Sequence, residues 1–161
     1  MTALSSGWRE QFDRMLRSHT QMLINRGSYR SQWLTLDHLR DAVYSFFQNA
    51  YHLKDWIKND PTVNGQDVEE FISSTLCLRI TADLANGAKH SQLTSSRTGD
   101  LTTAVTSHSV NHVGRKEGSL TSYCYFSWTV ESNGATFDAD ELATKVVAEW
   151  RCWLENRGLL P

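Results

Sequence analysis

The feature that most constrains the fold is an apolar repeat in residues 35–59. Its members recur at alternating steps of three and four residues, which places them on one face of an α-helix: Leu36, Leu39, Val43, Phe46, Ala50, Leu53 and Ile57. Thr35 is a suitable N-cap for this helix. Pro61 cannot continue a helix and Asn64-Gly65 favours a turn, so the helix is predicted to end near Asn59.

A second helix is predicted over residues 66–90. Its apolar side carries Val68, Ile72, Leu76, Ile80 and Leu84. Asp67, Glu69 and Glu70 stand in its first turn, where the helix dipole favours negative charge. Because the connection between the two helices is short, we expect them to pack antiparallel.

The rest of the chain predicts a helix at each end and a small sheet. Residues 8–23 repeat as an amphipathic helix that stops before Asn25. Residues 101–113 and 120–131 have the composition of strands, Asn133-Gly134 marks a hairpin turn, and residues 135–137 can add a third strand. Asp138 can cap a last helix. The sequence therefore predicts a single α+β domain over residues 1–161: a bundle of about four helices with an antiparallel two- or three-stranded sheet inserted before the C-terminal helix.

Polar residues run beside both apolar faces of the predicted helix pair. On the first helix they include His38, Asp41, Ser45 and Gln48. On the second helix Arg79, Asp83, Asn86 and His90 stand at steps of four, three and four residues. If the helices are antiparallel about a turn near residue 63, facing residues have numbers that add to about 126. This numbering brings Asp83, Asn86 and His90 close to His38 and Asp41.

Such a cluster suits metal-independent cleavage of RNA. A histidine exchanges protons near neutral pH, a carboxylate can orient its ring, and a guanidinium can bind phosphate and stabilise developing charge. We therefore predict the catalytic residues His90, Asp83, Arg79 and Asn86 and the binding residues His38, Asp41 and Lys89. We expect no cofactor and no bound metal.

Two other interpretations stay open. His38, Asp41, Asp83 and His90 can be four ligands for a divalent metal ion in a helical bundle. Alternatively, the stripes can form a structural polar layer between the helices of a non-catalytic interaction module. Whether the chain is an enzyme therefore stays open, with a metal-independent ribonuclease as the candidate.

The long amphipathic helices, with an arginine-to-histidine stripe that ends in Asn86-Gly87-Ala88-Lys89-His90, resemble the HEPN superfamily. The resemblance covers residues 35–90. It implies an intracellular helical domain that binds or cleaves RNA or a nucleotide, because the superfamily includes ribonuclease toxins, abortive-infection proteins and nucleotide-binding domains. In that family the arginine and histidine usually stand closer than Arg79 and His90, which are separated by ten residues.

Composition adds expectations about location and assembly. A formal net charge of −2 gives no global nucleic-acid signature. Residues 1–7 have neither a basic lead nor an apolar run and no membrane span is visible, so we expect a cytoplasmic protein that does not engage a membrane. Trp56, Trp150 and Trp153 offer more aromatic surface than one small core easily encloses, which predicts a homodimer.

Overall fold

Helices and a three-stranded antiparallel sheet make up the computed structural model, which describes residues 7–27, 35–90, 93–115 and 122–161. The helices are α1 (Trp8–Gly27), α2 (Leu36–Asn59), α3 (Val68–Ser74), α4 (Leu76–His90) and α5 (Ala139–Glu155). The strands are β1 (Ala104–Arg115), β2 (Ser122–Ser132) and β3 (Ala135–Asp138). The predicted α+β class, with the sheet inserted before the C-terminal helix, is confirmed.

Helix α2 begins and ends where the sequence predicts. Thr35 has an extended backbone, and its hydroxyl accepts the His38 N–H, while the His38 ring accepts the Thr35 N–H. This reciprocal capping box satisfies two backbone donors that a helix start leaves without partners. Asp60 is extended again and ends the helix after Asn59. Every member of the predicted apolar repeat is buried except Leu36, which is 43% exposed.

The structure has two helices, α3 and α4, where the sequence predicts one, because the helical conformation is interrupted at Thr75. Thr75 has φ −108° and ψ 115°, which is extended rather than helical. It follows two serines, and the Ser74 hydroxyl bonds back to the Phe71 carbonyl. Serine and threonine side chains compete for backbone partners, and a β-branched residue disfavours the helix interior, so this run is a weak point. The prediction of one helix over residues 66–90 is wrong at this point.

The strands follow one another in the order β1-β2-β3. Ser132 pairs with Ala135 across a two-residue turn at Asn133 and Gly134, whose φ values are 53° and 72°. Positive φ at both central positions is the requirement of a type I′ hairpin turn, which explains the Asn-Gly sequence. Phe126 and Val130 of β2 are buried, so one face of the sheet covers the helices.

Helix α1 contradicts one sequence boundary, because it continues through Asn25 and ends at Gly27. Its other end is fixed by Gly7, which has a φ of 96°. A Cβ atom at Gly7 would clash with the Asp60 carboxylate. The backbone N–H of Trp8 donates to the same carboxylate at 3.4 Å. The start of α1 is thereby held against the end of α2.

The tryptophan argument for a homodimer is wrong for two of its three residues. Trp150 and Trp153 are 0% and 5% exposed, and both rings contact the ring of Phe71. They belong to the main core, whereas Trp56 is 36% exposed. The homodimer stays a prediction, but these two side chains do not favour it. Among the described residues, no helix combines the length and the apolar character needed to cross a membrane.

Candidate functional site

An open cleft lies where the first half of α2 meets the end of α4 and the start of β1. Its volume is about 500 Å³, and its lining residues are Arg40, Asp41, Tyr44, Ser45, Gln48, Ala88 and Val105. We call it the α2 cleft. The five residues from α2 fall on one helical face because they are spaced by one, three and four residues. Leu39, on the neighbouring face, packs against Phe126 of β2 and holds this part of α2 beside the sheet.

A second cavity of about 430 Å³ adjoins the α2 cleft, since Tyr44 and Ala88 line both. Its other walls include the apolar residues Leu84, Leu93 and Leu101. Small-molecule sites commonly have volumes of roughly 300 to 1,000 Å³, with apolar walls and a few polar groups. Each cavity is therefore large enough for a ligand of nucleotide size.

The α2 cleft combines an aromatic ring with several hydrogen-bonding groups. Tyr44 and Gln48 are half-buried, while Arg40 and Asp41 are exposed. Arg40 donates one hydrogen bond of 2.9 Å to Asp37. A guanidinium carries five N–H donors, so this bond leaves others for a ligand. The cleft thus offers a flat apolar surface, a cation, a carboxylate and an amide within one helical face.

Asp83, the centre of the predicted catalytic set, is fully buried and does not line the α2 cleft. One carboxylate oxygen accepts a hydrogen bond of 2.7 Å from the backbone N–H of Arg97. The other accepts the Ser96 hydroxyl at 2.7 Å, the Thr98 N–H at 3.0 Å and the Thr98 hydroxyl at 2.7 Å. Both oxygens are therefore engaged with the loop at residues 93–103.

The hydrogen bonds around Asp83 continue to the sheet. The Thr98 carbonyl accepts the Asn133 side-chain amide at 2.9 Å, and the hydroxyls of Thr103 and Ser132 lie 2.8 Å apart. Asp83 thus connects α4 through this loop to the turn between β2 and β3. The polar layer joins a helix to a loop, whereas the sequence interpretation placed it between two helices.

The predicted stripe on α4 faces a different direction from the α2 cleft. Leu84, Gly87 and Ala88 line the two cavities. At about 100° per residue, Asp83 and Asn86 are turned roughly 90° to 150° away from that face. The antiparallel numbering correctly predicts which part of α4 lies beside Asp41 along the helix axis, since Ala88 shares a cleft with Asp41. The helical face is different, so Asp83 does not join Asp41 in that cleft.

The other predicted site residues are dispersed. His38 is exposed one turn before Asp41, and its ring takes part in the capping box of α2. Arg79 is half-buried, and its Nε atom has no hydrogen-bond partner among the described residues. Lys89 is exposed and lies next to Ala88, about 100° further round the helix. The side chain of His90 lies outside the described residues.

A charged network around Glu69 is absent from the sequence prediction. Glu69 accepts hydrogen bonds from Lys54 at 3.0 Å, from Lys58 at 3.1 Å and from Arg97. Burial opposes the charged form of Glu69, but these three bonds outweigh it and lower its pKa to about 2. Burial also opposes charge on Lys54, yet its bonds to Asp55 and Glu69 raise its pKa. The network joins α2 and α3 to the loop held by Asp83.

The metal-ion interpretation loses one of its four ligands. Both oxygens of Asp83 already accept hydrogen bonds from the loop. Among the side chains that the structure describes, no three histidine, cysteine or acidic residues are grouped closely enough to hold a metal ion. Nothing in the described part of the structure therefore supports a metal site formed by His38, Asp41, Asp83 and His90.

Sequence reasoning does not single out Tyr44 or Arg40. Tyr44 stands three residues after Asp41 and four before Gln48, so it shares their helical face. An aromatic residue at this spacing within a polar stripe is the signal that could have identified it. Arg40 stands four residues before Tyr44, so the same spacing places it on this face.

No protein-family model matches the chain, and neither a curated protein nor a solved structure shows significant similarity to it. The resemblance to HEPN domains therefore stays a prediction.

Proposed function

We propose that the α2 cleft binds a nucleotide or the unpaired bases of single-stranded RNA. The observation that carries the proposal is the placement of Tyr44 beside hydrogen-bonding side chains in an open cleft of about 500 Å³. Proteins that recognise single-stranded RNA stack bases on aromatic rings and read base edges with polar side chains. The α2 cleft contains both kinds of group.

Each polar group has a partner on a nucleotide. The Gln48 amide can both donate to and accept from a base edge, and the Asp41 carboxylate can accept from an exocyclic amino group. Arg40 can contact a phosphate at the open side. Ala88 and Val105 add apolar lining, which suits contact with a planar base. Together these contacts favour a base-centred mode of binding.

Charge in the cleft is nearly balanced, which predicts how affinity responds to salt. Arg40 lies beside Asp41 and is bonded to Asp37. A protein that binds mainly through phosphate contacts loses affinity steeply as salt rises, because bound counterions are released. We expect a shallow salt dependence here, since stacking and base-edge hydrogen bonds contribute most.

The geometry supports binding better than cleavage. The predicted mechanism uses Asp83 or Asp41 to orient a histidine ring. Both Asp83 oxygens bond the loop at residues 93–103, so Asp83 already has another role. Asp83 also faces away from Asp41 and the α2 cleft. A metal-independent ribonuclease activity is therefore the less favoured form of the proposal.

Fluorescence anisotropy with labelled single-stranded RNA tests the binding proposal, with unlabelled mononucleotides as competitors. Base stacking contributes about 1 to 3 kcal/mol per base, so Tyr44→Leu should weaken binding roughly tenfold or more. Tyr44→Phe is the matched control, because it keeps the ring and should retain most of the affinity. Equal affinity in Tyr44→Leu and wild type would contradict the proposal.

Incubation with total RNA tests cleavage separately. Cleavage by the wild type that disappears in His90→Ala would support a ribonuclease. Equal cleavage by both proteins, or none by either, would contradict the catalytic assignment while leaving the anisotropy result unaffected.

A second candidate function is a non-catalytic interaction module. The observation that favours it is the structural use of Asp83, whose four hydrogen bonds fix a loop and leave the carboxylate no free oxygen. In this case RNA should not bind at the α2 cleft. A cytoplasmic location and a homodimer accompany both candidates as predictions; light scattering at micromolar concentration tests the dimer.

A further inference from the structure

The outer edge of β3 is open. Among the residues that the structure describes, only β2 pairs with β3, because β3 is the last strand in the order β1-β2-β3. Ser132 and Ala135 close the two-residue turn as a bonded pair, and Glu131 and Thr136 form the next pair. Bonded and non-bonded pairs alternate along an antiparallel ladder. The N–H and C=O groups of Thr136 therefore point away from β2, toward the open side.

A groove of about 470 Å³ runs beside this edge, between β3 and the start of α4. Ile80 and Leu142 lie beneath it and are almost fully buried, while the half-buried Cys77 and Phe137 give it apolar surface that a ligand can reach. Leu76, at its border, is 49% exposed. An open strand edge next to an apolar groove is the arrangement that accepts an extended peptide, whose backbone pairs with the edge while alternate side chains enter the groove.

The rim of the groove is mainly acidic. Glu141, Lys145 and Glu149 are exposed, line the groove and stand one helical turn apart along α5. Asp138 adds a third carboxylate at the end of β3. Three carboxylates against one ammonium group give this surface an excess of negative charge. A ligand with positive side chains is complementary to it.

We propose that the β3 edge and its groove bind an extended peptide segment of a partner protein in which basic and apolar residues alternate. The peptide adds a fourth strand to the sheet by bonding to the outward backbone groups of Thr136. Its apolar side chains cover Leu76 and Phe137 in the groove, and its long basic side chains reach Glu141 and Glu149 at the rim. This interaction is independent of the α2 cleft, which lies against β1 and the other end of α4.

A second copy of this chain fits the same edge less well. Pairing two β3 edges brings two acidic rims together, and like charges at an interface oppose association. A basic peptide has no such repulsion. Charge therefore distinguishes the proposed partner from self-association.

A fluorescein-labelled synthetic peptide of alternating lysine and valine is the probe, and anisotropy reports its binding to the full chain. The first control peptide replaces lysine with glutamate and should not bind. The second replaces valine with proline, which keeps the charge but removes the N–H group of every second residue and disfavours a β-strand conformation. It should bind at least roughly tenfold more weakly than the probe, because a peptide with proline at every second position does not pair as a strand with the edge.

Thr136→Pro tests the protein side of the interaction. It removes an N–H that β2 does not use, and an edge strand tolerates proline there. The variant should bind the probe roughly tenfold more weakly, as expected for the loss of about one hydrogen bond. Thr136→Val keeps the N–H group and should bind like the wild type. Melting temperatures of both variants show whether the fold is retained.

Three outcomes would overturn the proposal: no binding of the probe by the wild type, equal binding of the probe and the proline peptide, or a wild-type dimer that Thr136→Pro converts to a monomer. The first removes the site, the second leaves only charge attraction, and the third assigns the edge to a second copy. If Thr136→Pro does not fold, the comparison of the probe with the proline peptide decides the question.

Discussion

Replacing Asp83 with alanine should be among the most destabilising single changes in this protein. The side chain is 0% exposed and accepts four hydrogen bonds, two from backbone N–H groups and two from hydroxyls. Hydrogen bonds to a charged group contribute about 1.5 to 3 kcal/mol each, but bonds that share one acceptor do not add fully. The donors left behind are also partly buried. We therefore expect Asp83→Ala to lower the free energy of unfolding by about 3 to 5 kcal/mol.

Chemical denaturation followed by tryptophan fluorescence measures this change. Because small domains are stable by only about 5 to 15 kcal/mol, the loss should move the denaturation midpoint far below that of the wild type. Asp83→Asn keeps the shape but only one acceptor oxygen, so its cost should be intermediate. Asp41→Ala is the matched control, since Asp41 is exposed on the neighbouring helix and its loss should change stability by less than about 0.5 kcal/mol.

Amide hydrogen exchange locates the effect. The N–H groups of Arg97 and Thr98 donate directly to Asp83, so they should lose protection in Asp83→Ala while amides in the middle of α2 exchange through global unfolding. A loss of stability below about 1 kcal/mol would refute the reasoning. Unchanged protection at these two amides would also refute it, because the loop would then be held by other contacts.

Three further predictions concern pH, backbone strain and thiol chemistry. The pKa of Glu69 is lowered from 4.5 to about 2 in the folded protein, so the stability that its charge contributes is present above about pH 4.5 and is lost as pH falls toward 2. The difference in unfolding free energy between wild type and Glu69→Gln should therefore shrink over that range. A constant difference would contradict the role of the Glu69 network. Gly7→Ala should lower the melting temperature more than Gly99→Ala, because both have positive φ but only Gly7 has a neighbouring carboxylate in the space of a Cβ atom. Burial, then the nearby charge of Glu149, raises the pKa of Cys77 to about 11. Iodoacetamide near pH 8 should therefore modify the exposed Cys152 before Cys77, as measured by mass spectrometry of peptides.

Local sequence signals predict the helices and the hairpin well. The apolar repeat of α2, its Thr35 cap and the Asn133-Gly134 turn each depend on residues close together in the chain. The break at Thr75 depends on a balance of weak propensities, and a periodic apolar pattern that continues across it hides the change. The burial of Trp150 depends on Phe71 of α3, which sequence separation conceals.

The candidate site is predicted in part, for a related reason. Helical spacing correctly places Asp41 and Gln48 on one face, and antiparallel numbering places the end of α4 at their level. It cannot show that Asp83 turns toward residues 96–98, because that loop has no periodicity and follows α4 by a path that the sequence does not define. A buried carboxylate that holds a loop and one that orients a catalytic histidine look alike in a helical stripe.

A two-dimensional ¹H–¹⁵N NMR titration with a short single-stranded RNA tests the central claim most directly. If the α2 cleft binds RNA, the largest shift changes should occur at residues 40–48 and at Ala88 and Val105, and Tyr44→Leu should remove them while Tyr44→Phe retains them. The amide signal of Thr136, which lies in β3 at the sheet edge opposite β1, should not shift. Saturable shift changes centred on Arg79, Asp83 and Asn86, or none at all, would contradict the account.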